Sequence, residues 1–157
     1  MTTDVQYVQS GSNERLAAAS ISKALGFLLA KLRAVGAVLN NRTLAEFSLK
    51  ERSYSVLSLA DSGLEPTQRE LADFLSLDPS QIVALVDELE SRGLVSRAPG
   101  KQDRRAKTVT ATQEGRLLLA AASKAAEEAE VKALSGLTAR EAEQLKSLLH
   151  KALWSSE

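Results

Sequence analysis

Apolar residues recur at helical spacing through the first quarter of the chain. Leu16, Ile21, Leu25, Leu28, Leu29, Leu32, Val35 and Leu39 follow one another on a helical period, which predicts one long helix from about Asn13 to Asn40, with Asn40-Asn41 as its stop. Later helix starts carry a shared signature, an N-cap residue followed three positions on by Glu or Gln. Ser48 with Glu51, Thr67 with Glu70, Asp78 with Gln81 and Thr138 with Glu141 each fit it. The helices they open are expected to end near Ser62-Gly63, Leu75, Gly93 and Trp154. Pro79 at a first helical position and Gly93 just past a helix end reinforce the third.

Between Gly93 and Thr112 the period changes. Leu94–Arg97 and Lys107–Thr110 read as two short strands, the second rich in β-branched residues. Ala98-Pro99-Gly100 and the charged run to Arg105 form the loop between them. Thr112 then caps a long Ala-rich helix reaching about Leu134, and Gly136 separates it from the last helix.

Helix, tight turn, helix and basic hairpin is the layout of a winged helix-turn-helix. The expected fold is therefore mainly α with a small β-hairpin wing (α+β), a winged helix-turn-helix joined to a helical dimerisation region. Residues 48–111 form the winged domain, residues 13–47 and 112–157 the helical region, and residues 1–12 a frayed or disordered N-terminus. Leu134, Leu137, Leu145, Leu148, Leu149, Leu153 and Trp154 give the C-terminal helices more apolar surface than a lone helix can hide. They would pack on the chain's own first helix, on a second copy, or on both.

Charge locates the chemistry. The chain holds 20 Lys+Arg and 20 Asp+Glu, so any attraction to nucleic acid must be local. Arg92, Arg97, Lys101, Arg104, Arg105 and Lys107 lie within sixteen residues that hold one acid, Asp103. From Pro66 to Glu90 the balance reverses, with Arg69 alone against Glu70, Asp73, Asp78, Asp87, Glu88 and Glu90. Phosphate attraction is thus assigned to the wing residues Lys101, Arg104, Arg105 and Lys107, helped by Lys50 and Arg52. Asp103 would ion-pair a neighbouring arginine and stiffen the loop, while Arg105 or Arg104 enters the minor groove.

In the helix opened by Asp78, Ile82, Leu85, Val86 and Leu89 make the core stripe. Ser80, Gln81 and Ala84 lie away from it, at the end where a recognition helix meets base edges. Ser80 is read as a DNA contact. Gln81 either completes the cap or pairs with adenine.

Other function classes lose support. No cysteine is present, which excludes disulfides, thiolate nucleophiles, cysteine-ligated zinc and a cysteine-based peroxide sensor; His150 is the single histidine. No metal or cofactor is expected, and no catalytic constellation argues for an enzyme. Aromatics at 4% leave few platforms for single strands. The apolar run from Leu25 to Leu39 is interrupted by Lys31 and Arg33, and Met1–Ser12 lacks an apolar signal core, so a cytoplasmic protein without a membrane partner is expected.

Gln68-x-x-Leu71-Ala72, Leu89-Glu90-x-x-Gly93-Leu94-Val95 and Asp103-Arg104-Arg105-Ala106-Lys107 followed by Thr112-x-x-Gly115 together resemble the MarR family of bacterial transcriptional regulators. The long first helix and the Leu137-Thr138-Ala139-Arg140-Glu141 start of the last one extend the resemblance over roughly residues 14 to 154. It implies a homodimer on a pseudo-palindromic double-stranded operator, acting as a repressor released by a small aromatic or anionic effector. It also implies Arg105 as the wing arginine, Asp103 as its partner, and Ser80, Gln81 and Ala84 as recognition-helix contacts. Ala84 and Glu88 stand where relatives often carry basic or polar residues, and Ala111 replaces the usual Leu before the capping Thr.

An effector would lie where the first, second and Ala-rich helices meet. Phe27, Lys31, Phe47, Arg52 and Tyr54 offer aromatic walls and a cation there, unless the aromatics are core and the cations solvated. The competing reading is a winged-helix module that binds protein without productive DNA contact, favoured by the acidic Pro66–Glu90 segment and by Ala84.

Overall fold

A computed structural model describes residues 12–100 and 106–155, the side chains of residues 12–14 aside. Of the frayed segment expected over residues 1–12, residues 1–11 lie outside the described residues, and Ser12 opens the first helix. The helices are α1 (Ser12–Ala17), α2 (Leu25–Ala45), α3 (Glu51–Ala60), α4 (Gln68–Leu75), α5 (Pro79–Ser91), α6 (Gln113–Ala133) and α7 (Ala139–Trp154). Strands β1 (Val95–Pro99) and β2 (Lys107–Ala111) pair antiparallel between α5 and α6, with Val95 opposite Ala111 and Pro99 opposite Lys107.

The long first helix is a correction to the sequence expectation. It breaks after Ala17, passes through a 3-10 turn at Ser20–Lys23, and restarts at Leu25. Ala19 and Ala24 are extended, and the Ser22 hydroxyl lies 2.6 Å from the carbonyls of both Ala17 and Ala19. Serine competes in this way with the backbone ladder. Nor does Asn40-Asn41 stop the helix. Asn41 Oδ1 accepts from the Glu51 backbone N–H at 3.3 Å, and α2 runs on to Ala45.

A second correction concerns the start of α3. Its N-cap is Lys50, whose N–H donates to Ser53 Oγ at 3.0 Å, so Ser48 and Glu51 do not form a box. Ser48 instead adopts a left-handed φ of 52° in the turn that closes α2, where the Leu49 N–H returns to the Leu44 carbonyl at 2.9 Å. That turn carries Leu44 and Leu49 into the core. The boxes at Thr67, Asp78 and Thr138 all form.

The chain divides into two compact units. One comprises residues 40–127; the other comprises the segment to Leu39 with that from Glu128 onward. The first holds the core. Val56 and Leu57 of α3, Leu71 of α4, Ile82, Val86 and Leu89 of α5, Val95 of β1 and Val109 of β2 are buried together. Fully burying each such side chain contributes about 1.5–3 kcal/mol. Gly93, at φ +69°, turns the chain from α5 into the hairpin, a conformation strained for residues with a Cβ.

The second unit is built differently. Ala129 alone among its described residues is buried. Lys146 Nζ ties α7 to α6 by bonding Glu130 at 2.7 Å, and it also meets Glu143 of its own helix at 3.0 Å. Leu25, Leu28, Leu29, Val131, Leu148, Leu153 and Trp154 remain exposed. No helix among the described residues is long and apolar enough to cross a membrane.

Candidate nucleic-acid interface

The turn between α4 and α5 is set by local chemistry. Thr67 and Glu70 close the capping box of α4, Thr67 N–H donating to Glu70 Oε2 at 2.7 Å and Glu70 N–H to Thr67 Oγ1 at 3.2 Å. Ser76 ends the helix with a left-handed φ of 52°, and Leu77 N–H returns to the Ala72 carbonyl at 3.0 Å. Two residues later Asp78 caps α5: its Oδ1 accepts from the Ser80 N–H at 2.9 Å and the Ser80 hydroxyl at 2.7 Å. These bonds hold the carboxyls of Asp78 and Glu70 below their ordinary values, the Ser80 hydroxyl acting most on Asp78 and the Thr67 N–H most on Glu70.

With α4 fixed, α5 presents two faces. Ile82, Val86 and Leu89 are buried and Leu85 is half-buried. On the opposite side Ser80, Ala84, Asp87 and Ser91, spaced i, i+4, i+7 and i+11, are all exposed. Ser80 and Gln81 both take part in the cap, since Gln81 Oε1 accepts from the Asp78 N–H at 3.3 Å. That leaves the Gln81 amide NH₂ as the donor a base could use.

The hairpin stands beside this helix. Its described part is closed by Gly100 N–H donating to the Ala106 carbonyl at 2.8 Å. It is anchored to the start of α4 by Val109 N–H donating to the Pro66 carbonyl at 2.8 Å, and by a bridge between Thr67 and Thr108. Lys107 is exposed at the loop end of β2, opposite Pro99. Lys101, Asp103, Arg104 and Arg105 lie outside the described residues. Lys50, at the N-cap of α3, and Arg52, on its first turn, are exposed.

Two arginines that sequence reading left in the general basic count have specific partners. Arg97 of β1 reaches back to α5, where Nη1 bonds Glu90 Oε2 at 2.8 Å and Nη2 bonds Asp87 Oδ1. Its backbone N–H also donates to Glu90 Oε1 at 3.2 Å. Arg92, at the end of α5, donates to the carbonyls of Ser48 at 2.7 Å and Phe47 at 3.1 Å, and lies 3.7 Å from Glu88. All three carboxylates of α5 therefore have an arginine partner. The only available signal was Glu90 falling seven residues before Arg97 across a glycine turn.

The candidate effector residues fall in both units. Phe27 and Lys31, one helical turn apart on α2 and both exposed, belong to the unit with little core. Phe47, Arg52 and Tyr54 belong to the other. Phe47 and Tyr54 pack against the hydrophobic core, and the Tyr54 hydroxyl lies 3.1 Å from Ser123 Oγ of α6. An open cavity of about 480 Å³ in the same unit is lined by Asn41, Ala45, Ser48, Leu49, Lys50 and Glu88, and none of the five candidate effector residues lines it.

Residues 49–107, which span α3 to the wing, match the model of the MarR family. The chain is 37% identical to CouR from Rhodococcus jostii RHA1, solved bound to p-coumaroyl-CoA (TM-score 0.76, covering 88% of this chain and 97% of that one). A MarR-family transcriptional regulator from Rhodococcus sp. RHA1 is likewise 37% identical (TM-score 0.78, covering 85% and 98%). A mutant MarR from E. coli, solved in complex with operator DNA, is 27% identical (TM-score 0.71, covering 82% and 93%). The capped turn, the two-faced α5 and the hairpin beside it are thus those of a known kind of protein, and the chain belongs to the MarR family of transcriptional regulators.

Proposed function

We propose that this chain is a cytoplasmic, homodimeric repressor that binds a pseudo-palindromic operator and releases it when a small aromatic or anionic effector binds. The observation that carries the reading is the exposed stripe Ser80–Ala84–Asp87–Ser91 of α5, opposite the core and beside a hairpin whose tip is basic in sequence. Ser80, Gln81 and Ala84 would face base edges in the major groove. Lys107, Lys101, Arg104 and Arg105 would meet the backbone and minor groove, with Asp103 positioning Arg105. Lys50 and Arg52 add phosphate contacts. The operator of E. coli MarR and the acyl-CoA of CouR support the two ligand classes.

Dimerisation is supported by the exposed apolar residues of α2 and α7. Two recognition helices set about 34 Å apart would read an operator of roughly 16–20 bp. Phe27 and Lys31 of one unit, and Phe47, Arg52 and Tyr54 of the other, remain the proposed effector contacts, each set taken by itself, with p-coumaroyl-CoA an available first probe. The competing protein-binding module draws on the acidic Pro66–Glu90 segment and on Ala84; three of the six acids of that segment, Asp87, Glu88 and Glu90, pair with arginines, which takes away part of that support.

The test is a gel-shift titration against the intergenic DNA upstream of the gene, at two salt concentrations, with Arg105→Ala alongside. Salt-sensitive binding lost in the variant supports the repressor. Absence of binding at low salt overturns it in favour of the protein-binding module.

A further inference from the structure

α5 is an unusual helix to bring against DNA. It carries Asp87, Glu88 and Glu90 and no basic side chain. Asp87 sits in the middle of the outward stripe, with its side chain 58% exposed. A carboxylate there repels phosphates as the helix enters the groove, and an uncompensated charge lowers affinity most at low salt, where screening is weakest.

The fold supplies an answer from the neighbouring strand. Arg97 places one Nη on Asp87 and the other on Glu90, with its own side chain only 17% exposed. Nη2 also approaches the Val83 carbonyl at 3.5 Å, so the guanidinium lies along the side of α5 that borders the wing. Two acids are thereby held by a cation that stays out of solvent. The planar fork of Arg suits this task, because it meets two acceptors at once while remaining charged.

We propose that Arg97 is the internal counter-charge of the recognition helix, a positioning residue that lets an acidic α5 approach DNA without itself touching it. The inference rests on α5 being the helix that meets DNA. It assigns the acidity of this segment to wing attachment and leaves base reading to Ser80, Gln81 and Ala84.

The experiment measures binding of operator and of random-sequence duplex by fluorescence anisotropy across a salt series, for the full-length protein and three variants checked by circular dichroism and thermal melting. Arg97→Met should weaken binding to both duplexes about tenfold at low salt, with the deficit shrinking as salt rises and the log–log salt slope falling by about one. Arg97→Lys, which retains the charge without the fork, should recover most of the low-salt affinity.

Asp87→Asn combined with Glu90→Gln keeps acceptor oxygens for Arg97 while removing two negative charges. It should bind both duplexes more tightly than wild type, with a steeper slope. This pair also decides the matter if Arg97→Met fails to fold. Wild-type binding with an Arg97→Met deficit equal at every salt concentration, or a double variant that binds no tighter, overturns the counter-charge role alone. A wild-type protein that holds neither duplex at low salt overturns the DNA-binding reading and this inference with it.

Discussion

Gly115 and Leu94 touch backbone to backbone: a Cβ at Gly115 would lie 2.0 Å from the Leu94 carbonyl oxygen. The same carbonyl accepts the Thr112 N–H at 3.0 Å, and Thr112 Oγ1 accepts the Gly115 N–H at 3.0 Å. The start of α6 is thus fastened to the start of the hairpin through a contact that only glycine permits. Neither partner is a flexible side chain, so the clash has no cheap relief. Gly115→Ala is expected to cost about 1–3 kcal/mol, the usual range for forced overpacking. Urea unfolding monitored by circular dichroism measures it, and a midpoint equal to wild type would refute the contact.

Three helix caps tie stability to acid. The carboxyls of Glu70, Asp78 and Glu141 are all held below their ordinary values, by bonds from Thr67, Ser80 and Thr138 respectively. Their folded-state values lie under their unfolded ones, so the charged form favours the fold. The contribution is complete above the unfolded values, at about pH 5, and is lost as pH falls through about 4 toward the folded values. The melting temperature should accordingly decline between about pH 5 and pH 3. Glu70→Gln, Asp78→Asn and Glu141→Gln combined should flatten that decline while lowering the melting temperature at pH 7. An unchanged acid profile in the triple variant would show that other carboxylates govern it.

What the sequence revealed and what it concealed follow from the range of the interactions involved. The boxes at Thr67, Asp78 and Thr138 close within three residues, so residue type and spacing sufficed. Ser48 with Glu51 had the same spacing, but burial of Leu49 and the turn closing α2 moved the cap to Lys50. The break at Ala19–Ala24 was hidden because Leu16, Ile21 and Leu25 keep a helical period across it while Ser22 claims the carbonyls. The winged layout was visible in the change of period at Gly93. The pairing of Arg97 with Asp87 and Glu90 was not, since it depends on how β1 folds back along α5.

The remaining prediction concerns the unit that has almost no core of its own. Leu148 and Leu153 of α7 are 58% and 69% exposed, and Trp154 beside them is 52% exposed. Charge does not account for such a surface, and a single chain would hold it in water at the full cost of apolar hydration. In the proposed homodimer, each leucine transferred from water contributes about 1.5–3 kcal/mol. Leu148→Glu with Leu153→Glu removes two such side chains from each protomer and places carboxylates in their stead. The pair should therefore weaken self-association by at least about a thousandfold. Sedimentation velocity at micromolar protein should show a dimer for wild type and a monomer for the variant. Residues 40–127 hold the core and contain neither substitution, so the far-ultraviolet signal of the winged unit should persist. Operator affinity should fall with the dimer, because one winged unit engages one half-site. A wild-type protein that sediments as a monomer would leave these leucines unexplained and remove the basis for a palindromic operator.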